Sequence, residues 1–220
     1  MNYKWPSQEG YPEDYTYLGT NQSFFKNPIL RYALLRRLEI GLDISLPELT
    51  GDSTVLEIGA GAGFMLPELA KRAGGVTDMD YEDVHLNAVR SMTQHEGIAD
   101  KVRLVQGDIR NMQFKDTSFD MVLCFSVLEH VSLSSIKEIH RILKPNGIFI
   151  AGIPIETVFS HVGRVVFGIG GHKKGEVVNT YREMEDEIKC HFTVQQFRRM
   201  PANGMPAFCS LYDIMKCRRK

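Results

Sequence analysis

The feature that most constrains this chain is a run of glycines directly after a short apolar strand. Residues 54–58 read Thr-Val-Leu-Glu-Ile, and glycines then occupy positions 59, 61 and 63 before a helical pattern begins. Glycine lets the backbone turn sharply at such a point, and it lets a ligand approach the main-chain amides closely. The sequence therefore predicts a strand, a ligand-binding turn and a helix, in that order.

The rest of the chain alternates strand-like and helical patterns. Apolar strands are predicted at 54–58, 75–79, 102–106, 119–124, 147–153 and 211–217. Helices are predicted at 28–40, through Leu66, Leu69 and Ala70, at 83–95 and at 136–143. The helix at 28–40 is expected to end at Gly41, and Thr193 with Gln196 resembles a capping box that would open a short helix. Such alternation predicts right-handed βαβ units and a doubly wound, mostly parallel α/β sheet.

The length of 220 residues suits one domain. We expect residues 1–50 to form an N-terminal helical cover and residues 51–154 the ligand-binding core. Residues 155–192 are glycine-rich and without clear periodicity, so they are expected to form an irregular insertion on the substrate side. Residues 193–220 are expected to supply a final helix and strand.

Charge and cysteine content exclude several classes of protein. Lys+Arg 26 against Asp+Glu 27 gives a formal charge of −1, so no global field attracts nucleic acid or anionic lipid. The four cysteines show no zinc-ligand spacing, so no metal site is predicted, and reduced thiols favour a cytoplasmic location. We find neither a signal-peptide pattern nor an apolar run near the ~18 residues that a membrane span needs.

Acidic residues follow the next two predicted strands. Asp80 ends the second strand, where a carboxylate can accept both hydroxyl hydrogens of a ribose, and Asp78 on the same side of the strand is its rival. Asp108 follows the third strand, where it could accept a hydrogen bond from an adenine amine. The spacing Gly-x-Gly-x-Gly differs from the dinucleotide fingerprint, and Phe64 stands where that fingerprint has its third glycine. A dinucleotide-dependent oxidoreductase is therefore the weaker alternative.

Four segments together resemble one known family. VLEIGAGAGF, VTDMD, QGDIRNMQFKDTSFDMVLCFSVLEHV and RILKPNGIFIAGIP are similar, in this order, to the class I S-adenosylmethionine-dependent methyltransferases of small-molecule type. The resemblance covers roughly residues 50–155. It implies S-adenosylmethionine as cofactor and a Rossmann-like seven-stranded sheet of order 3-2-1-4-5-7-6, with the seventh strand antiparallel.

The resemblance also implies roles for individual residues. The cofactor-binding residues would be Glu57, Gly59, Ala60 and Gly61 around the methionine end, Asp80 on the ribose, Tyr81, Asp108 and Ile109 around the adenine, and Cys124 and Phe125 beside the sulfonium. Two departures from the family stand out. Asp78 is an unusual second acid, and only Met205–Phe208 remains for a sixth strand, so the outer hairpin is expected to be abbreviated or absent.

The resemblance also implies an activity. The protein would transfer a methyl group by in-line displacement to a small molecule, with neither nucleic acid nor membrane as partner. A protein that binds the cofactor without turnover is the other alternative. His130, just past the fourth strand, is the candidate general base, although the resemblance implies that Glu129 and His130 often have a structural role at the start of the following loop. The acceptor, the methylated atom and the oligomeric state stay open.

The acceptor side is expected to be covered by residues 155–192 and 1–26. Apolar residues between Val158 and Ile169 could line a pocket there, although 158–167 could instead be an amphipathic helix on the sheet. Tyr15 and Tyr17 could fold over the cofactor or pack on the helix at 28–40. His161, His172 and His191 lie in the same region and are interpreted as surface histidines.

Overall fold

The structure is a computed structural model that describes residues 3–15, 28–155, 179–200 and 210–220. The strands are β1 (Thr54–Ile58), β2 (Gly75–Asp80), β3 (Val102–Gln106), β4 (Phe119–Phe125), β5 (Leu143–Pro154), β6 (Phe192–Met200) and β7 (Tyr212–Arg219). The α-helices are α1 (Pro28–Ser45), α2 (Leu66–Arg72), α3 (Asp83–His95), α4 (Ser135–Ile142) and α5 (Tyr181–His191), and short 3-10 turns occur at Gln8–Gly10, Leu46–Glu48 and Leu128–His130.

The seven strands form one sheet of order β3-β2-β1-β4-β5-β7-β6. β1 to β5 pair in parallel, whereas β7 runs antiparallel to both β5 and β6. This confirms the order and the antiparallel seventh strand that the resemblance implied. The strand order reverses between β1 and β4, and a crevice outside the carboxyl ends of the strands is expected at such a point.

The central strands are apolar on both faces because helices cover both faces. Val55, Leu123 and Ile150 belong to a core cluster with residues of α1, α2 and α3. Their neighbours Leu56 and Val122 point to the opposite side and belong to a second cluster with residues of α4 and α5. A parallel sheet buried in this way needs near-continuous apolar strands, which is the pattern that the sequence shows.

The prediction of a helix opening at Thr193 is wrong. Residues 192–200 form β6, which pairs with β7 from Phe192, opposite Arg219, to Met200, opposite Tyr212. The sixth strand therefore precedes the segment 205–208, which lies outside the described residues, and the outer hairpin is not abbreviated. Local capping chemistry at Thr193 is outweighed by pairing with β7, since strand formation depends more on cross-strand context than on local preference.

The helix α1 continues past its predicted end. Gly41 lies inside the helix, which extends to Ser45. A Cβ atom at Gly41 would lie 2.5 Å from Cζ of Phe125, at the end of β4. Glycine is needed here for the close approach of the helix to an aromatic ring, and not for a helix cap.

Part of the segment 155–192 is regular, contrary to expectation. α5 begins after a capping box in which the Thr180 hydroxyl accepts from the Glu183 amide, and the Glu183 carboxylate accepts from the Thr180 amide. Met184 and Ile188 of α5 are buried. The glycine-rich residues 156–178 lie outside the described residues, so the predicted substrate-side insertion stays a prediction. Within the described ranges, no helix is long and apolar enough to cross a membrane.

Candidate cofactor-binding site

A cavity of about 470 Å³ lies at the carboxyl ends of β1, β2, β3 and β4. This is within the range of roughly 300–1,000 Å³ that is usual for small-molecule sites. The cavity is lined by Arg37, Ile58, Gly59, Gly61, Met79, Asp80, Tyr81, Glu82, His85, Gly107, Asp108, Ile109, Arg110, Phe125, Ser126, Val127, His130 and Val131. The crevice expected from the strand order is therefore present.

The glycine run after β1 forms one wall of this cavity. Gly59, Gly61 and Gly63 have φ angles of 67°, 56° and 68°, a region that residues with a side chain rarely adopt. A Cβ atom at Gly59 would collide with the Val127 side chain, and one at Gly63 would lie 2.8 Å from Leu66 Cδ1. The loop therefore brings its backbone directly to the cavity, as a cradle for an extended ligand requires.

Asp80 is held at the end of β2 by two backbone amides. Its Oδ1 accepts from the Glu82 amide at 3.0 Å, and its Oδ2 accepts from the Gly61 amide at 3.4 Å. A carboxylate has about four lone-pair sites, so acceptor capacity remains on the side chain that borders the cavity. Asp80 thus fits the hydroxyl groups of a ribose.

Asp78 and Glu57 lie beneath the cavity and not in its wall. They face each other on adjacent strands in register, and they are 1% and 4% exposed. Oε2 of Glu57 has no hydrogen-bond partner among the described residues, and the Asp78 carboxyl has only a weak contact with the Ala60 amide, outside ordinary hydrogen-bond geometry. Burial raises the pKa of Asp78 to about 8, aided by the charge of Asp80 and opposed by the Ala60 amide.

The pKa of Glu57 is raised as well. Burial, followed by the nearby charge of Asp78, raises the pKa of Glu57 well above its ordinary value. Asp78 is therefore largely protonated at neutral pH, and burial favours the protonated form of Glu57 as well. Of the two acids at the end of β2, only Asp80 borders the cavity, so the geometry favours Asp80 over Asp78 as a ribose ligand.

The far end of the cavity contains Tyr81, Asp108 and Ile109. Tyr81 is 69% exposed, so its ring is available to a flat ligand group. The Asp108 carboxylate accepts from Nε and Nη2 of Arg110 at 2.9 and 2.6 Å, and this guanidinium lowers the pKa of Asp108. Arg110 was not predicted from the sequence, and an adenine amine at Asp108 would share the carboxylate with it.

The end of β4 forms the opposite wall. Phe125, Ser126 and Val127 border the cavity, whereas Cys124 is only 1% exposed and does not. Arg37 of α1 reaches the same place, where its Nη1 donates to Ser126 Oγ at 2.9 Å. Its guanidinium also lies 5.0 Å from the centre of the Tyr212 ring. A cation from the N-terminal helix is thus placed beside the cavity.

His130 lies in the 3-10 turn after β4 and borders the cavity. Its Nε2 is 3.8 Å from Oε1 of the buried Glu129. Asn179 fixes this turn from outside, since its Nδ2 donates to the carbonyl oxygens of Leu128 at 2.8 Å and Val131 at 2.6 Å. His130 is therefore carried by a turn that is anchored at both ends.

The N-terminal segment covers the glycine loop and the start of α3. The Tyr11 hydroxyl donates to the Ala62 carbonyl oxygen at 2.6 Å. The Tyr15 hydroxyl lies 3.0 Å from Nδ1 of His85, a residue that borders the cavity. Tyr17 lies outside the described residues. Tyr15 therefore contacts a residue of the cavity wall.

The structure brings most of the predicted residues to one place. Those that border the cavity are Gly59, Gly61, Asp80, Tyr81, Asp108, Ile109, Phe125 and His130. The predicted Glu57, Ala60 and Cys124 lie next to this wall without bordering the cavity. The roles of all the predicted residues toward the cofactor stay predictions.

Sequence reasoning missed Arg37, His85, Arg110 and Ser126. Ser126 directly follows β4, Arg110 lies two residues after Asp108, and His85 lies in the first turn of the helix that follows Asp80, so these three had a positional signal, whereas Arg37 had none. Of the three histidines after β5, His161 and His172 lie outside the described residues. His191 is on α5, with its Nε2 3.1 Å from Glu187 Oε1. Over the part of the chain that the structure describes, no three His, Cys, Asp or Glu side chains are grouped to hold a metal ion.

Comparison with known families agrees with this geometry. Residues 56–151 match the family model described as "Methyltransferase domain". Among curated proteins, sterol 24-C-methyltransferase ERG6B of Gibberella zeae is 38% identical over 98 residues, which are 43% of this chain and 26% of that protein. The chain thus matches only about a quarter of the length of this relative.

Solved structures share the fold. The PH0226 protein from Pyrococcus horikoshii superposes with a TM-score of 0.69 at 18% identity, over 90% of this chain and 96% of that one. A putative sarcosine dimethylglycine methyltransferase from Galdieria sulphuraria gives a TM-score of 0.65 at 14% identity, over 86% and 87% of the two chains. At such identities the likeness concerns the fold.

Proposed function

We infer that the chain contains a class I S-adenosylmethionine-dependent methyltransferase domain, since residues 56–151 match a methyltransferase-domain family model and the sheet has the order that this class implies, and from this premise we propose that it methylates a small molecule. One observation carries the proposal: the Asp80 carboxylate is held by two backbone amides in the wall of a cavity at the carboxyl ends of the strands. The similarity to a sterol 24-C-methyltransferase and to a putative sarcosine dimethylglycine methyltransferase supports an acceptor of small-molecule size.

The residues of the cavity suit S-adenosylmethionine, which supplies a methyl group activated by a positively charged sulfur. We assign Asp80 to the ribose hydroxyl groups, Tyr81 and Ile109 to the two faces of the adenine, and the amides of the glycine loop to the amino-acid part. Phe125 and Val127 would exclude water beside the sulfur. Holding two reactants in line can supply roughly 7–11 kcal/mol at best, so alignment is the main contribution proposed for this protein.

We assign His130 to the acceptor side as a general base. A base is needed only when the acceptor arrives with a proton on the attacking atom. Imidazole suits that task near neutral pH, and the Leu128–His130 turn places the residue at the cavity wall. In this assignment, Glu129 and Asn179 hold the turn in place.

The cover of the acceptor site is also part of the proposal. Residues 155–178 follow β5, whose carboxyl end lies at the same edge of the sheet as that of β4, and residues 3–15 contact the glycine loop. We propose that these segments determine acceptor choice within a single domain, and that the protein works in the cytoplasm. The near-neutral charge supports a small molecule over nucleic acid as acceptor.

The proposal is tested with S-adenosylmethionine that carries a labelled methyl group. Purified protein is incubated with a panel of acceptors that includes sterols, amino acids with N-methyl groups, phenols and carboxylic acids. We expect transfer to at least one class of acceptor, and loss of that transfer in Asp80→Asn. Binding of the cofactor without transfer to any class would favour a non-catalytic binding protein instead.

A further inference from the structure

Tyr15 of the N-terminal segment contacts a histidine in the wall of the cavity. Its hydroxyl lies 3.0 Å from Nδ1 of His85, and the two rings meet edge to face at 89° with centres 5.9 Å apart. His85 is the third residue of α3, which follows β2 and its last residue, Asp80. Tyr15 is 6% exposed and His85 is half-buried, so the contact is part-buried.

The Tyr15 ring is held in place from the glycine loop. Tyr11 stacks on it with ring centres 5.7 Å apart and an interplanar angle of 15°. Tyr11 is itself fixed by its hydrogen bond to the Ala62 carbonyl oxygen and by an edge contact with Phe64, centres 6.2 Å apart. The Tyr15 hydroxyl is therefore positioned by packing.

The contact favours one tautomer of His85, because a phenol hydroxyl is a better hydrogen-bond donor than acceptor and an unprotonated imidazole nitrogen is a good acceptor. A neutral imidazole has one donor and one acceptor nitrogen, and the hydrogen bond at one nitrogen sets the role of the other. When the Tyr15 phenol donates to Nδ1, the proton resides on Nε2. His85 then provides an N–H donor in a wall where Asp80 provides acceptors.

These two residues are complementary toward a hydroxyl group. A hydroxyl has one hydrogen to donate and two lone pairs to accept with. Asp80 can take the hydrogen but cannot fill the lone pairs, whereas His85 with a proton on Nε2 can do so. A vicinal diol beside Asp80, as in a ribose, would use both residues at once.

We propose that His85 is a further cofactor-binding residue, which donates from Nε2 to a ribose hydroxyl oxygen, and that Tyr15 is a positioning residue that sets the tautomer. This inference rests on the proposed function, because it concerns the same cofactor. It adds a ribose contact from α3 and gives the N-terminal segment a defined task in binding.

The first test measures binding of S-adenosylhomocysteine by calorimetry. We expect His85→Phe to weaken binding about fivefold to tenfold, as for the loss of one hydrogen bond. His85→Gln keeps a side-chain donor and should recover part of the affinity. Tyr15→Phe removes only the hydroxyl and should weaken binding about threefold.

Tyr3→Phe is the matched control. Tyr3 belongs to the same N-terminal segment, but its hydroxyl donates to Asp43 at 2.6 Å, and neither residue borders the cavity. This variant should bind like the wild type. Analogues of S-adenosylhomocysteine that lack the 2′- or the 3′-hydroxyl identify the contact, since the penalty of His85→Phe should vanish for one of them.

The second test is independent of binding. Nitrogen-15 NMR of the histidine side chains should show His85 protonated on Nε2 in the wild type and in Tyr3→Phe, and a mixture of tautomers in Tyr15→Phe. A proton on Nδ1 in the wild type would overturn the inference. So would wild-type affinity in both Tyr15→Phe and His85→Phe, whose folding is checked by thermal unfolding.

The two tests separate this inference from the proposed function. If the wild-type protein and Tyr3→Phe fail to bind S-adenosylhomocysteine, the proposed function is wrong. If they bind and the Tyr15 and His85 variants bind equally well, the function stands and the role of His85 is wrong.

Discussion

At the scale of single residues, Asp78 and Glu57 form an unusual feature beneath the site. Both carboxyl groups are buried next to each other with raised pKa values, and Asp78 is at about 8. A carboxyl group with a folded pKa above its unfolded value binds more protons when folded. Its favourable contribution is therefore complete below about pH 4, and it is lost as the pH rises toward 8.

Asp78→Asn should therefore change how stability depends on pH. Asparagine resembles the protonated acid, so wild type and variant should be similarly stable near pH 4. Between pH 4 and 8 the wild type should lose stability relative to Asp78→Asn, by up to about 1.4 kcal/mol per pH unit. Urea unfolding at several pH values measures this difference, with Asp100→Asn as an exposed control. Parallel curves for wild type and Asp78→Asn would refute the interpretation.

Residues in the wall of the site were predictable to the extent that they end strands. Gly59, Gly61, Asp80 and Asp108 follow apolar runs directly, so the parallel sheet brings them together at one edge. Arg37 reaches the site only because α1 packs beside β4, and its partner Ser126 is 89 residues away in the chain. No local pattern signals such a contact.

At the scale of elements, α1 and β5 approach each other around the Phe125 ring. A Cβ atom at Gly41 or at Gly152 would be too close to this ring. In an ordinary helix interior, glycine to alanine stabilises by about 1 kcal/mol. Gly41→Ala should instead destabilise by about 1–3 kcal/mol because of overpacking, and Phe125→Leu in the same chain should relieve part of the cost.

The measurement for Gly41→Ala is the free energy of unfolding in urea. Gly51→Ala is the control, since nothing lies within 4 Å of a Cβ atom at that position. A gain in stability at Gly41 equal to the ordinary helical preference would contradict the packing account.

The turn that carries His130 depends on a second element contact. Asn179→Ala removes two hydrogen bonds to carbonyl oxygens of the turn and should cost about 1–3 kcal/mol. Amide hydrogen exchange should then accelerate around residues 127–131, whereas α3 on the other side of the sheet should exchange as in the wild type. Unchanged exchange in the turn would show that Asn179 does not hold it.

Strands and helices with a strong local hydrophobic pattern were predicted well, whereas a strand whose structure depends on pairing with a distant strand was not. β1 and β3 have the predicted bounds because their apolar runs are short and end in clear turns. β6 was missed because its sequence, FTVQQFRRM, contains polar residues on an edge strand, and Thr193 with Gln196 imitates a helix start. The pairing with β7 that determines its structure is a contact with the far end of the chain.

At the scale of the whole molecule, the sheet order determines where the site is. β1 and β4 are adjacent although two βα units separate them in sequence. The cavity lies at their carboxyl ends, at the point where the strand order reverses. The alternating pattern predicted a parallel sheet, and the resemblance supplied the order of its strands. The cover contributed by residues 3–15 was not predictable in detail, because its aromatic residues lack periodicity and contact parts of the chain more than 50 residues away.

The most direct test of the central claim is a calorimetric titration with S-adenosylhomocysteine of three proteins: wild type, Asp80→Asn and Asp78→Asn. Charge-assisted hydrogen bonds contribute roughly 1.5–3 kcal/mol, so Asp80→Asn should bind at least about tenfold more weakly than wild type. Asp78 lies beneath the cavity wall, so Asp78→Asn should bind S-adenosylhomocysteine within about threefold of wild type. NAD should not bind to any of the three proteins. Equal loss in both variants, or tighter binding of NAD than of S-adenosylhomocysteine, would contradict the account.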